Sequence, residues 1–316
     1  MKSRSMKVRR AHTIGLILTQ LVTFSVVVAQ TSAPPSDVVQ ATKAPEPVVI
    51  FSLEPARKGR NPGTPFIDPI AVMKGGKLTK PPMYVKGEDE ANKAFARFSK
   101  QYYKRGIVYP FISHGSYDGN VTVGEIASIS CESWAASTTL SHTLPDDRPR
   151  LVTTSSAGLG LHADLDIPVT DMQRSSFRKL AAGYFQQRHL SNPTISKLKI
   201  ENLYSVYLSP SSPQALVGEV AIRGRSAIYR LFMLADWDEG DGPYNLELAS
   251  YHVSKDVEDG TDSVVELFLD HADLDNDGTD EIVTTSYYYE SWDYTIYKKE
   301  KNGRWQSVYR GAGGGC

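Results

Sequence analysis

The run Asp273-Leu274-Asp275-Asn276-Asp277-Gly278-Thr279-Asp280-Glu281 sets three carboxylates at alternate positions, a glycine at the sixth and a carboxylate at the ninth. Calcium takes six to eight hard oxygen ligands, and loops that bind it draw them from alternate residues around a glycine turn. The expected ligands are therefore the side chains of Asp273, Asp275, Asp277 and Glu281 and the backbone carbonyl of Thr279. Asp280 is out of step with them and is expected to point outward. The twelfth position is Thr284, not a carboxylate, which excludes a helix–loop–helix calcium site. So many protein carboxylates suit calcium better than magnesium. Zinc or iron would call for histidine or cysteine ligands.

Other chemistry-bearing residues are less ordered. His162-Ala163-Asp164-Leu165-Asp166 repeats the pentapeptide that opens the loop at His271, but Pro168 then stands at the turn's fifth position and Val169 where glycine is needed. Ser113-His114-Gly115-Ser116 and Ser141-His142 place hydroxyls beside imidazoles, without the Gly-x-Ser-x-Gly elbow of a hydrolase. Cys131 with His142 could imitate a thiol–imidazole pair. Glu132 and the Asp146-Asp147 pair are carboxylates of the kind glycoside hydrolysis uses, with nothing to fix their separation. The segment Tyr287 to Tyr294 is rich in aromatics that could stack on sugar rings, although alternate residues of paired strands more often fill a core. The acidic turn after Trp237 reads as solvated.

The elements that must position the loop read mainly as strands. Glu88 to Lys104 carries Ala91, Phe95, Phe98 and Tyr102 at helical spacing, with acids first, bases last and Gly106 where a cap belongs. A second helix opens on a capping box, Thr170 to Gln173, and places Phe177, Leu180, Ala181, Tyr184 and Phe185 on one face, with Asn192-Pro193 as its stop. Phe66 to Met73 and the stretch around Val121 and Val123 read as strands. Beyond residue 169 the chain repeats itself. Setting Tyr207 against Asp273 aligns eleven positions without a gap, with Leu208 on Leu274, Leu216 on Ile282 and Val217 on Val283. Tyr207, Ser209, Ser211 and Ala215 face the metal positions, so one copy keeps its ligands and the other has lost them. Strands follow in each copy: 217–222, 227–235 and 246–253, then 282–288, 294–299 and 305–309, with a hairpin turn at Lys301-Asn302-Gly303. The fold class expected is mainly β with two helices (α+β), as an N-terminal β-rich domain over 48–168 and a linking helix with two β repeats over 169–316.

The Asp-x-Asp-x-Asp-Gly-x-x-Glu loop entering a strand resembles the calcium loop of FG-GAP and VCBS-type repeats, which build integrin-like propeller blades and many secreted bacterial surface proteins. The resemblance covers the C-terminal half alone and implies calcium at Asp273, Asp275, Asp277, Thr279 and Glu281. The Phe-Gly and Gly-Ala-Pro elements of those repeats are missing. Two units cannot close a propeller, which typically takes about four to eight blades, so a tandem β-meander is expected instead.

The first residues set the compartment. Lys2, Arg4, Lys7, Arg9 and Arg10 precede an uncharged run from Thr13 to Ala29, and Val27 and Ala29 suit a signal peptidase. A signal peptide over 1–29 is expected, then a Pro/Ser/Thr/Ala-rich spacer over 30–47 that cannot bury a core. Removing five basic and no acidic residues takes the formal charge from −1 to −6. An acidic chain with no basic stripe lacks the electrostatic footprint of a nucleic-acid binder. No second apolar run approaches membrane-spanning length. In an oxidising compartment the two cysteines, Cys131 and Cys316, are expected to form a disulfide, Cys316 following a flexible Gly-Gly-Gly tether. The expectation is an exported calcium-binding protein, periplasmic or secreted, acting as a non-enzymatic binding or scaffold module of the envelope or surface, with a glycan or a protein as candidate ligand. The alternative is a secreted hydrolase of polysaccharide or peptide with an accessory calcium unit.

Overall fold

A computed structural model describes residues 46–56, 64–126, 134–155, 167–224, 226–238, 242–255 and 264–315. The expected signal peptide, all but the end of the spacer, Cys131, Cys316, Glu132 and the His162 pentapeptide lie outside them. Among the described residues no helix is long and apolar enough to cross a membrane.

Residues 45–316 form one compact unit. Its first part is a sheet of β1 (Val48–Glu54), β2 (Phe66–Lys74), β3 (Lys77–Thr79), β4 (Val108–Ser113), β5 (Ser116–Ile126), β6 (Ala136–Leu140) and β7 (Arg150–Thr153). The strand order is β1-β7-β4-β5-β6-β2-β3, and β1 also pairs with β2, so six strands close into a ring. Val49, Phe51, Leu53, Ile67, Phe111, Val121 and Val152 fill the interior. Helix α1 (Glu88–Tyr102) adds Ala94 and Phe98 to that core. It starts on Glu88, Asp89 and Glu90, which favour the positive end of the helix dipole. It ends two residues before the expected Lys104, because the Tyr103 amide closes the last turn onto Ser99. Gly106, with φ of 87°, instead starts the pairing with β5 through Val123.

Two four-stranded antiparallel meanders follow, as expected for a tandem repeat that is not a propeller. The outer meander is β8 (Lys199–Tyr207), β9 (Gln214–Arg223), β10 (Ile228–Asp238) and β11 (Gly242–Ser254). The inner one is β12 (Val265–Ala272), β13 (Glu281–Tyr287), β14 (Ser291–Lys299) and β15 (Trp305–Gly315). Each begins with a strand, β8 or β12, that the sequence pattern did not mark. Helix α2 (Asp171–Gln187) keeps its capping box: Thr170 Oγ1 accepts the Gln173 amide, and the Gln173 side chain accepts the Thr170 amide. The buried Gln173 amide also donates to Gln214 and Tyr244, tying α2 to the outer meander. A third helix was not expected. Pro193 does not stop a helix but opens α3 (Asn192–Ile195), where its missing N–H costs nothing.

The layers stack in a fixed sense. Phe177, Ala181 and Phe185 of α2 cover Leu216, Val220 and Leu231 on one face of the outer meander. Val217, Phe232 and Leu234 on its other face meet Ile282, Tyr297 and Trp305 of the inner meander. The far face of the inner meander, Leu269, Val283, Tyr294 and Ile296, packs on Ile50, Ile70, Ile112 and Leu151 outside the ring. The inner meander is thus covered on both sides. Leu216 and Ile282 face the same way in the stack, as do Val217 and Val283, in keeping with the eleven-position alignment.

The C-terminal glycines are not a loose tether. Gly314 and Gly315 pair with Trp292 and Ser291 in the last ladder. A Cβ on Gly313 would come within 2.0 Å of the Trp292 carbonyl, and one on Gly314 within 2.5 Å of the Trp292 ring. Glycine is used here for close approach.

Two tests follow from this packing. Gly115 and Gly76 share nearly the same backbone angle, φ of 75° and 74°, but a Cβ on Gly115 would lie 2.3 Å from His271 Cε1 while one on Gly76 meets nothing within 4 Å. Gly76→Ala should cost about 1 kcal/mol from backbone strain, and Gly115→Ala about 2 kcal/mol more from overpacking, read by urea unfolding. The second concerns Asp68, buried between ring and inner meander beneath the Tyr294 hydroxyl at 3.3 Å. Burial, then the charge of Glu54, pushes its carboxyl from 3.8 up to about 7, against hydrogen bonds from Tyr294 and Trp292. The folded state binds the extra proton between these values, so the stability it contributes is complete below about pH 4 and is lost as pH rises through about 7. Asp68→Asn should flatten the fall in unfolding free energy across that window, leaving the shares of Glu219 and Glu281, which burial also raises to about 7.

Candidate metal centre

The loop 273–280 joins β12 to β13, whose last and first residues, Ala272 and Glu281, are cross-strand partners. Asn276 and Gly278 take positive φ, 62° and 90°, and turn the chain so that its carboxylates curl inward. Asp273 accepts the amides of Asp277 and Gly278 at 3.0 and 2.9 Å. Asp277 accepts the amide of Thr279 at 3.0 Å, and Glu281 that of Leu274 at 2.8 Å. Asp273, Asp275 and Glu281 each offer an oxygen, all within 4.8 Å of one another. One oxygen of Asp275 is buried and has no hydrogen-bond partner.

A side chain unforeseen from the sequence completes the group. The Lys298 ammonium lies 2.5 Å from Asp275, 2.6 Å from Asp277 and 3.1 Å from Glu281. Its position was countable. Ile282 pairs with Tyr297, so Glu281 and Lys298 are the next step along the same hairpin. These hydrogen bonds raise the Lys298 pKa despite the opposing effect of burial. Burial would raise Asp277, but Lys298 and the Thr279 amide hold it below the usual carboxylate value. Burial carries Glu281 up to about 7, with Asp275 adding to the rise and the Leu274 amide and Lys298 opposing it. Burial also raises Asp273, with the Gly278 and Asp277 amides opposing. Burial is the main cause of the raised Asp273 and Glu281 values, so their charged forms are costly there unless a cation lies close by.

The residues present therefore fit a hard divalent cation. Asp273, Asp275 and Glu281 would hold it, with Asp277 beside them and the Thr279 carbonyl as the backbone ligand expected from sequence. Such an ion would supply positive charge and fix the loop. Asp275, Glu281 and Lys298 also line an open cleft of about 400 Å³, with Met73, Lys77 and Leu78 opposite.

Asp280 corrects the sequence reading. It is not outward but fully buried, 2.6 Å from His271 Nδ1. Its amide donates to the Leu208 carbonyl at 2.7 Å, in the matching loop of the outer meander. His271 packs under Gly115, and Asp270 beside it accepts the amides of His114 and Gly115 at 3.2 Å each. The position out of step with the ligands is the loop's anchor.

The remaining candidates have structural employment. Ser141 Oγ is 3.3 Å from His142 Nδ1, and His142 Nε2 is 3.4 Å from Asp118. That hydroxyl also accepts the Asn120 amide at 3.0 Å, so the trio pins β5 to β6. Asp146 is paired by Arg148 and Arg150 at 2.8 and 2.6 Å. Burial alone would raise it, but the two arginines hold it at about 2, too acidic to donate a proton near neutrality. Ser113 and Ser116 are buried. In the aromatic segment Tyr294 is in the core and Trp292 lies against Gly314, while Tyr289 is 62% exposed. Tyr287 and Trp292 are half-buried cross-strand partners. Trp237 packs edge-on against Tyr244.

The loop's anchor and its ligands should separate in mutagenesis. With chelator present, Asp280→Ala should lower the unfolding free energy by on the order of 3 kcal/mol, because it removes the buried carboxylate that His271 meets and the bond between them. Asp277→Ala, whose carboxylate is largely solvated, should cost less than about 1 kcal/mol in the same urea titration.

Searches for a matching protein-family model, curated protein or solved structure found none.

Proposed function

We propose that this chain is an exported calcium-binding β-repeat protein, a binding or scaffold module of the cell envelope or surface. The observation that carries the reading is the convergence of Asp273, Asp275 and Glu281, with a buried Asp275 oxygen left without a donor, on the rim of a sheet covered on both faces. The ion would stiffen the β12–β13 connection and, through Asp280 and Asp270, its contacts with the outer meander and the ring. Export is supported by the basic start and uncharged run ending at Ala29. The likeness to FG-GAP and VCBS-type repeats is supported by the ligand spacing and by two stacked four-stranded meanders. A glycan or protein ligand would meet the loop in the cleft lined by Lys77, Glu300 and Val308.

Calcium at about a hundredfold over its dissociation constant should stabilise the fold by about 2.7 kcal/mol, raising the unfolding midpoint by about 5 °C or more relative to chelator. Asp275→Ala should show no such rise. An unchanged midpoint in the wild type, with no calcium taken up in a titration, would remove the metal from this account.

A further inference from the structure

We infer that Lys298 is a tethered competitor for the metal: its ammonium fills the acidic cluster in the calcium-free protein and must vacate it for the ion to bind. The inference rests on the calcium reading above and concerns how that site is set. The Lys298 nitrogen contacts Asp275, Asp277 and Glu281, and two of these, Asp275 and Glu281, belong to the trio that brings its oxygens together. An ammonium at 2.5–3.1 Å from these carboxylates occupies the space a cation would take. Two positive charges cannot share it.

Lys298 also has somewhere to go. It lines the open cleft, as do Glu300 on its own chain segment and Val308 of β15. Its neighbour Lys299 does not share this freedom, since it holds Asp236 of the outer meander at 2.8 Å. The built-in cation lets the fold close around its carboxylates before any metal arrives. In exchange, calcium must replace charge-assisted hydrogen bonds already made, so binding is weaker than the number of carboxylates would give. Lys298 thus sets a calcium threshold.

Calorimetric calcium titration of the full chain and of Lys298→Met tests this. Lys298→Met should bind about 10- to 100-fold tighter, the range expected when one charged hydrogen-bonding partner no longer competes. Lys298→Arg should return the affinity toward that of the wild type. In chelator Lys298→Met should melt below the wild type, and in saturating calcium the gap should close. A measurement on the unaltered protein covers the case in which the variant folds poorly. Acetylation followed by mass spectrometry should find Lys298 protected in chelator and reactive in calcium, with Lys299 unchanged. Wild-type binding that is no weaker than that of Lys298→Met, or Lys298 labelling that calcium does not increase, overturns the competitor while leaving the metal site standing. Absence of calcium binding in both proteins overturns the metal site and the competitor together.

Discussion

A sheet covered on both faces has no water to offer the charges it carries, and the inner meander carries many. An unpaired buried carboxylate costs several kcal/mol, so each must find a donor, some in a neighbouring layer and some in its own sheet. Asp270 takes two amides from the β4–β5 turn of the ring. Glu219 of the outer meander takes the Phe268 amide at 2.7 Å. Glu266 is held by Thr284 and Tyr297 at 2.8 and 2.7 Å. Asp280 meets His271. Apolar burial brings the three sheets together, and these acids fix how they register.

The metal loop belongs to the same system. Its ligand side faces the cleft, and its non-ligand side, through Asp280, faces the core. Through Asp280 the loop is fastened to His271 and to the matching loop at Leu208. An ion bound there would act as a strut. Asp146 is paired with two arginines, and in the Ser141–His142–Asp118 trio the Ser141 hydroxyl accepts the Asn120 amide.

What could be read along the chain was what local chemistry decides. The capping box at Thr170, the glycine at Gly278 and the alternating strand residues each act over a few positions, and each is found where the pattern put it. Features decided by distant partners were not legible. Asp280 looked like a solvent-facing residue because loop periodicity is blind to His271 across the hairpin and Leu208 in the other meander. The closing of β1 on β2 and β7 depends on pairings roughly a hundred residues apart in the second case. The glycines at 313–315 looked flexible because nothing near them in sequence announces the Trp292 carbonyl they must approach. Lys298 is the intermediate case. Counting across the Ile282–Tyr297 pair finds it, once the hairpin register is assumed.

The most direct test of the central claim is a crystal structure of the protein grown in calcium. The account predicts an ion at about 2.3–2.6 Å from oxygens of Asp273, Asp275 and Glu281, with the Lys298 ammonium withdrawn into the cleft and Asp280 still on His271. Lys298 still seated against Asp275 and Glu281 at saturating calcium, with no ion among the carboxylates, would contradict it.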